Sequence, residues 1–241
     1  MSDARRRILL LGATGLVGGH VIAAAQQDGR IALLGLSRRE IGFAPGTRME
    51  LVLADSEDWA EIVGMIAPDA VICALGTTRR KAGGNAAFRR VDHDLVLDAA
   101  RAARAAGAQG FVHVSSVNAD AGSRNFYIRT KGEVERELRA LKFRRLDIVR
   151  PGLLRGARQD DPRPLESLGK AIAPLADLLL HGGKRKYRSI HGSDVAKAAL
   201  NLSLEKAAGT FVHEHDALLR HAHAFDREAH RAAPPPMERA A

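Results

Sequence analysis

The stretch Ile8-Leu9-Leu10-Leu11-Gly12-Ala13-Thr14-Gly15-Leu16-Val17-Gly18-Gly19, preceded by Arg5-Arg6-Arg7, decides the fold. Four aliphatic residues in a row read as a strand buried on both faces, and the glycines that end it open a helix. Gly12 permits a tight turn, Gly15 lets the backbone come close to a bound pyrophosphate, and Gly18 lets the helix pack closely on the strand. The helix start at Leu16 and Val17 then offers free N–H groups and the positive end of the helix dipole to that anion. Gly12, Thr14, Gly15, Leu16, Val17 and Gly18 are therefore the expected phosphate-binding element for a dinucleotide.

Outward from this turn, short aliphatic runs alternate with alanine-rich helical patterns, which is the signature of βαβ units around a parallel sheet. Strands are expected at Ile8 to Leu11, Ile31 to Leu36, Met49 to Leu53, Ala70 to Ala74, Gly110 to Ser115, Leu146 to Arg150 and Thr210 to His213. Helices are expected at Gly15 to Asp28, Trp59 to Ile66, Phe88 to Ala106, Tyr127 to Leu141, Pro164 to Leu180 and Gly192 to Ser203. The fold class is thus α/β, a doubly wound parallel sheet of about seven strands. One domain spans residues 1–221, with substrate-side elements mainly within 152–190. Lys184, Arg185 and Lys186 fall in a basic loop. From Ala222 the composition turns to Ala, His, Arg and Pro, so residues 222–241 read as a disordered tail. His221, His223 and His230 lack a closed ligand spacing, so no metal is expected.

The end of the second strand faces the adenosine ribose in such a fold. A carboxylate there would accept hydrogen bonds from a free 2′-hydroxyl, whereas a guanidinium forks onto a 2′-phosphate. The sequence has Ser37-Arg38-Arg39, which favours NADP(H), with NAD(H) as the alternative. Asp55, after the third strand, is placed to accept from the adenine amino group or else to cap the next helix.

With 241 residues, 46% hydrophobic and 27% charged, the chain has an ordinary globular balance, and no apolar run reaches the ~20 residues of a membrane span. The single Cys73 excludes an internal disulfide framework, and residues 1–7 lack an apolar leader region, so a cytoplasmic protein is expected. The net charge of +9 raises the question of nucleic acid, but the arginines are scattered and aromatics are only 4%, which argues against it.

Chemistry enters with Tyr127-Ile128-Arg129-Thr130-Lys131. A spacing of four puts tyrosine and lysine on one helix face, where the ammonium eases loss of the phenolic proton and can hold a ribose. Ser115-Ser116 ends the strand from Gly110, at the carboxyl edge where open α/β sheets bind ligands.

These motifs, with Gly12 to Gly18, resemble those of extended and atypical short-chain dehydrogenases/reductases, a Rossmann-fold superfamily. Leu75-Gly76-Thr77-Thr78-Arg79-Arg80-Lys81-Ala82-Gly83, Val91-Asp92 and Lys131-Gly132-Glu133-Val134-Glu135 resemble its Tat-interacting protein subgroup, and the match covers residues 8–200. The resemblance implies that Ser116, Tyr127 and Lys131 are catalytic, with Ser115 the competitor for the serine role. It implies that Leu75, Gly76, Thr77, Ser115, Tyr127, Lys131 and Pro151-Gly152-Leu153-Leu154 line the cofactor. The expected activity is hydride transfer between nicotinamide and a small carbonyl or alcohol substrate. Two rivals are a dinucleotide-sensing regulator without turnover and a sugar-nucleotide epimerase or dehydratase. A protein partner or a homodimer is compatible with either class.

Overall fold

The computed structural model describes residues 5–156 and 180–232. Its centre is a sheet of seven strands: β1 Arg6–Leu11, β2 Ile31–Ser37, β3 Glu50–Leu53, β4 Ala70–Cys73, β5 Gly110–Val114, β6 Arg145–Val149 and, last in the sheet, β9 Gly209–His213. They lie in the order β3-β2-β1-β4-β5-β6-β9, and every neighbouring pair is parallel. The order reverses between β1 and β4, which opens a crevice beyond their carboxyl ends.

Alternation along β1 explains why its aliphatic run is unbroken. Ile8 and Leu10 enter one core while Leu9 and Leu11 enter the other, and all four are fully buried. Helix α1 (Leu16–Ala25) packs on the first core. Helices α2 (Trp59–Ile66), α5 (Leu95–Ala105) and α6 (Phe126–Ala140) cover the second. Two short helices, α3 (Arg79–Ala82) and α4 (Asn85–Arg89), precede α5, and a π-turn at Arg90–Asp94 joins α4 to α5. Helices α7 (Gly192–Leu204) and α8 (His215–Ala232) close the first face.

All seven expected strands are present, with ends shifted by a residue or two. A two-residue parallel ribbon, β7 (Leu154–Arg155) with β8 (Ile190–His191), was not anticipated, because two residues carry no periodicity. The basic loop is a 3-10 helix over Gly182–Tyr187. The helix expected over Pro164 to Leu180 falls on residues outside the described set, save for Leu180, which is not helical.

The expected tail needs a correction over its first part. Residues 222–232 continue α8, and Leu218, Ala222, Phe225 and Ala229 are 0–4% exposed against the core. These positions recur at the i, i+4, i+7, i+11 spacing of one helix face, and that face outweighs the polar composition around it. Residues 233–241 lie outside the described set.

Candidate active site

The turn after β1 takes its shape from two glycines. Gly12 has φ +88°, and a Cβ there would stand 2.5 Å from the Ala74 carbonyl oxygen at the end of β4. A Cβ on Gly18 would stand 2.2 Å from the Gly12 carbonyl oxygen, so α1 closes onto the turn only because both are bare. Gly15 donates its N–H to Gly12 O at 3.0 Å and caps α1 with no side-chain bond, while the first turn of α1 carries no acidic residue. Val17 and Gly18 are buried, and Leu16 is packed by Gly156 and Gly192 of the β7–β8 region. The arrangement fits a pyrophosphate: a backbone cradle, N–H groups and no competing carboxylate.

A cleft joins this turn to the end of β2, lined by Gly12, Thr14, Ser37, Arg38, Arg39 and Leu75 among others. The Ser37 hydroxyl donates to Arg39 O at 2.8 Å and accepts from Arg39 N–H at 3.2 Å. This local turn leaves both arginines exposed at the rim. Asp55 is exposed and is not among the residues lining the cleft. The capping alternative is not realised, since Asp58 takes the N-cap position of α2 and makes no side-chain bond there.

At the end of β5 the two serines part company. Ser115 is buried and donates to Glu135 Oε1 at 2.6 Å. The Arg150 Nε donates to the same oxygen at 2.9 Å, and its Nη2 reaches Glu135 Oε2 and Ala119 O. The Ser115 hydroxyl thereby donates its one proton within a buried network. Ser116 is half-buried, and among the described residues its hydroxyl makes only a long bond, 3.3 Å, to the carbonyl of Val117.

Helix α6 starts on Asn125, whose side chain accepts from Ile128 N–H at 3.2 Å. Its first turn presents Tyr127, half-buried, with the ring 5.7 Å from that of the fully buried Phe88. One turn on, Lys131 is 3% exposed and its Nζ lies 2.9 Å from Asp92 Oδ1. Burial pulls the pKa of this ammonium down, and Asp92 with Tyr127 more than offsets that pull, so it ends above the ordinary lysine value. Gly132 lets α6 press on the loop after Ser116, where a Cβ would stand 2.2 Å from Ala121 N.

The loop after β4 brings Leu75, Gly76 and Thr77 to this place, with Thr77 N–H bound to Asp92 Oδ2 at 2.8 Å. After β6, Pro151 O accepts from Val117 N–H at 3.0 Å, Gly152 lies against the backbone of Tyr187 and Arg188, and Leu153 is exposed. Leu154 is partly buried and packs against the core that α1 shares. The Tyr187 hydroxyl donates to Asn118 Oδ1 at 2.9 Å, and Asn118 has φ 62°, the left-handed region.

Four residues here carry roles that the sequence reading did not assign: Asp92 and Glu135, quoted only as parts of the subgroup motifs, and Arg150 and Phe88, named only as ends of elements. Glu135 continues the four-residue spacing of Tyr127 and Lys131. Asp92 interrupts an apolar helix face that runs from Phe88 to Ala99. Both signals were open to inspection.

The family model described as the NAD dependent epimerase/dehydratase family matches residues 8–212. The chain is 36% identical over 209 residues to Protein fmp52, mitochondrial, of Aspergillus niger, covering 84% of this chain and 88% of that one. It is 35% identical over 208 residues to Protein FMP52, mitochondrial, of Saccharomyces cerevisiae, covering 81% and 87%. Among solved structures it resembles MoeE5 in complex with UDP-glucose and NAD, with a TM-score of 0.64 at 19% identity over 86% of this chain and 74% of that one. It also resembles UDP-glucose 4-epimerase from Thermotoga maritima with UDP-glucose, with a TM-score of 0.66 at 15% identity over 95% and 84%.

These names overturn the expected cytoplasmic location, since the curated relatives are called mitochondrial. A lone cysteine fits a reducing compartment but does not tell one such compartment from another.

Proposed function

The chain belongs to the NAD dependent epimerase/dehydratase family, within the extended short-chain dehydrogenase/reductase superfamily, and from that premise we propose that it is an NADP(H)-dependent oxidoreductase. Its substrate in this reading is a small carbonyl compound or the corresponding alcohol. The observation that carries it is the buried, charged Lys131 one helical turn beyond the half-buried Tyr127, with the Ser116 hydroxyl held among the described residues by no more than a long bond at the adjoining strand end.

The nicotinamide, when bound, supplies or accepts the hydride. Ser116 orients the substrate oxygen by donating a hydrogen bond. Tyr127 exchanges the proton at that oxygen, giving it up when a carbonyl is reduced and taking it when an alcohol is oxidised. Lys131 holds the ribose hydroxyls. Gly12 to Gly18 hold the pyrophosphate, and Arg38 or Arg39 pairs with a 2′-phosphate, which is the basis for preferring NADP(H). The UDP-sugars of the solved neighbours are ligands of those proteins, and likeness at 19% and 15% identity carries the fold alone.

One assay tests this reading: consumption of NADPH and of NADH with a panel of small aldehydes, ketones and quinones, by the parent and by Tyr127→Phe. Turnover should fall roughly 10²-fold in the variant while dinucleotide affinity persists, the scale of lost general acid catalysis. NADPH should bind at least about 10-fold tighter than NADH, a gap of about 1.4 kcal/mol. Full turnover in Tyr127→Phe would remove that residue from the chemistry. No turnover by the parent across the panel, with dinucleotide still bound, would favour the sensor.

A further inference from the structure

Asp92 occupies a position that the helix pattern reserves for an apolar side chain. Phe88, Asp92, Leu95, Val96 and Ala99 follow the buried face of the segment running from α4 into α5, and Asp92 is 0% exposed. Burying a lone carboxylate costs several kcal/mol, so it persists only where partners repay it. Both of its partners belong to the candidate active site: Oδ2 accepts from Thr77 N–H at 2.8 Å, and Oδ1 faces Lys131 Nζ at 2.9 Å.

Two further observations point the same way. The helix changes to a π-turn at Arg90–Asp94, around Asp92 itself, and such single turns re-aim side chains and concentrate at functional sites. The ion pair also lies directly beneath the exposed backbone of Gly76. A Cβ on that residue would stand 3.6 Å from Asp92 Oδ1 and 4.0 Å from Lys131 Nζ.

The other titratable groups around Lys131 come from three elements. Tyr127 lies on its own helix, Cys73 on β4 and His113 on β5, with Cys73 and His113 directly opposite each other in the sheet register. Burial pushes the Cys73 thiol up to about 12. Burial, followed by the charge of Lys131, holds the His113 imidazole well below its ordinary range. Lys131 thus rests on an uncharged floor, and Asp92 is the one carboxylate in this group.

We propose that Asp92 is a positioning residue that acts through Lys131. It keeps the ammonium charged and aimed from beneath Gly76 at the place of the nicotinamide ribose, and it ties that aim to the β4 loop through Thr77. The inference rests on the dinucleotide reading above and assigns the residue on which the lysine's charge depends. Without the carboxylate, burial of the ammonium stands less opposed, and the lysine loses its proton at lower pH.

The test is fluorescence titration of NADPH from pH 6 to 10 with the parent, Asp92→Asn and Asp92→Asn/Lys131→Met. Asparagine keeps the size and the acceptor for Thr77 N–H while removing the charge. The parent, whose lysine stays charged, should hold its affinity up to pH 10, whereas Asp92→Asn should lose affinity below pH 10, and that loss should be absent from the double variant. Coincident pH profiles for parent and Asp92→Asn would overturn the proposal and leave the dinucleotide reading intact. An alkaline loss that persists in the double variant would overturn it too, since the loss would not belong to Lys131. Failure of the parent to bind dinucleotide at any pH would sink both. Should Asp92→Asn not fold, Asp92→Glu carries the test: charge kept but displaced predicts an unmoved pH profile with weaker affinity, and a moved profile overturns the proposal.

Discussion

Gly15 and Gly18 lie three residues apart and answer different demands. Gly15 has φ −84°, a conformation open to any residue, and a Cβ there would meet the Gly12 carbonyl oxygen at 3.3 Å and that of Ala74 at 3.9 Å. Gly18 has no such room, at 2.2 Å from the Gly12 oxygen. Gly15→Val should therefore fold, with Tm changed by about 2–4 °C, the scale of 1 kcal/mol in a domain of this size. Its side chain would occupy the pyrophosphate approach, so dinucleotide affinity should fall at least about 10-fold by calorimetry. Unchanged affinity in a folded Gly15→Val would show that the turn is not the phosphate site. Gly18→Val should lose binding by losing the fold. At this scale the sequence was most legible where chemistry demands a spacing, as with Tyr127 and Lys131. It was least legible where a residue works through a partner distant in the chain, as Glu135 does through Ser115 and Arg150.

Helix α8 marks the limit of composition as a guide to elements. Its histidines and arginines suggested a solvated tail, yet Phe225 is 0% exposed and packs in the core shared with α1 and α7. Phe225→Ala should cost about 3–5 kcal/mol, read as a fall in the urea midpoint, because a large buried ring leaves a cavity. His223→Ala, on the exposed face of the same helix, should stay within about 0.5 kcal/mol of the parent. Equal midpoints for the two variants would mean that α8 does not contribute to the cooperative unit. Periodicity over Leu218, Ala222, Phe225 and Ala229 was present in the sequence, but two of the four are alanines and the apolar face they form is diluted by charge. The π-turn at Arg90–Asp94 had no comparable signal, since a single wide turn is too short to show in the apolar periodicity.

At the scale of the whole molecule, the parallel sheet places titratable groups in its interior, and one of them makes stability depend on pH. His113 is 0% exposed, and neither ring nitrogen has a hydrogen-bond partner among the described residues. Its neighbours in register are Cys73 on β4 and Ile148 on β6, so no strand offers it a charge. Burial first, and Lys131 second, hold its pKa well below the ordinary value. The unfolded chain therefore takes up a proton near pH 6.5 that the folded chain refuses. The associated stability is complete above that pH and is lost as pH falls below it, with a slope of up to about 1.4 kcal/mol per pH unit. His221 adds a contribution of the same sign, its pKa lowered by burial and then by His213. His113→Leu removes the buried polar ring and its titration together. Urea unfolding at pH 8, 7, 6 and 5 should find the variant's advantage over the parent constant between pH 8 and 7 and widening from pH 6 to 5, with His221 left to account for residual acid sensitivity. An advantage that does not change with pH would mean that the folded protein protonates His113, and that the imidazole has a partner when charged.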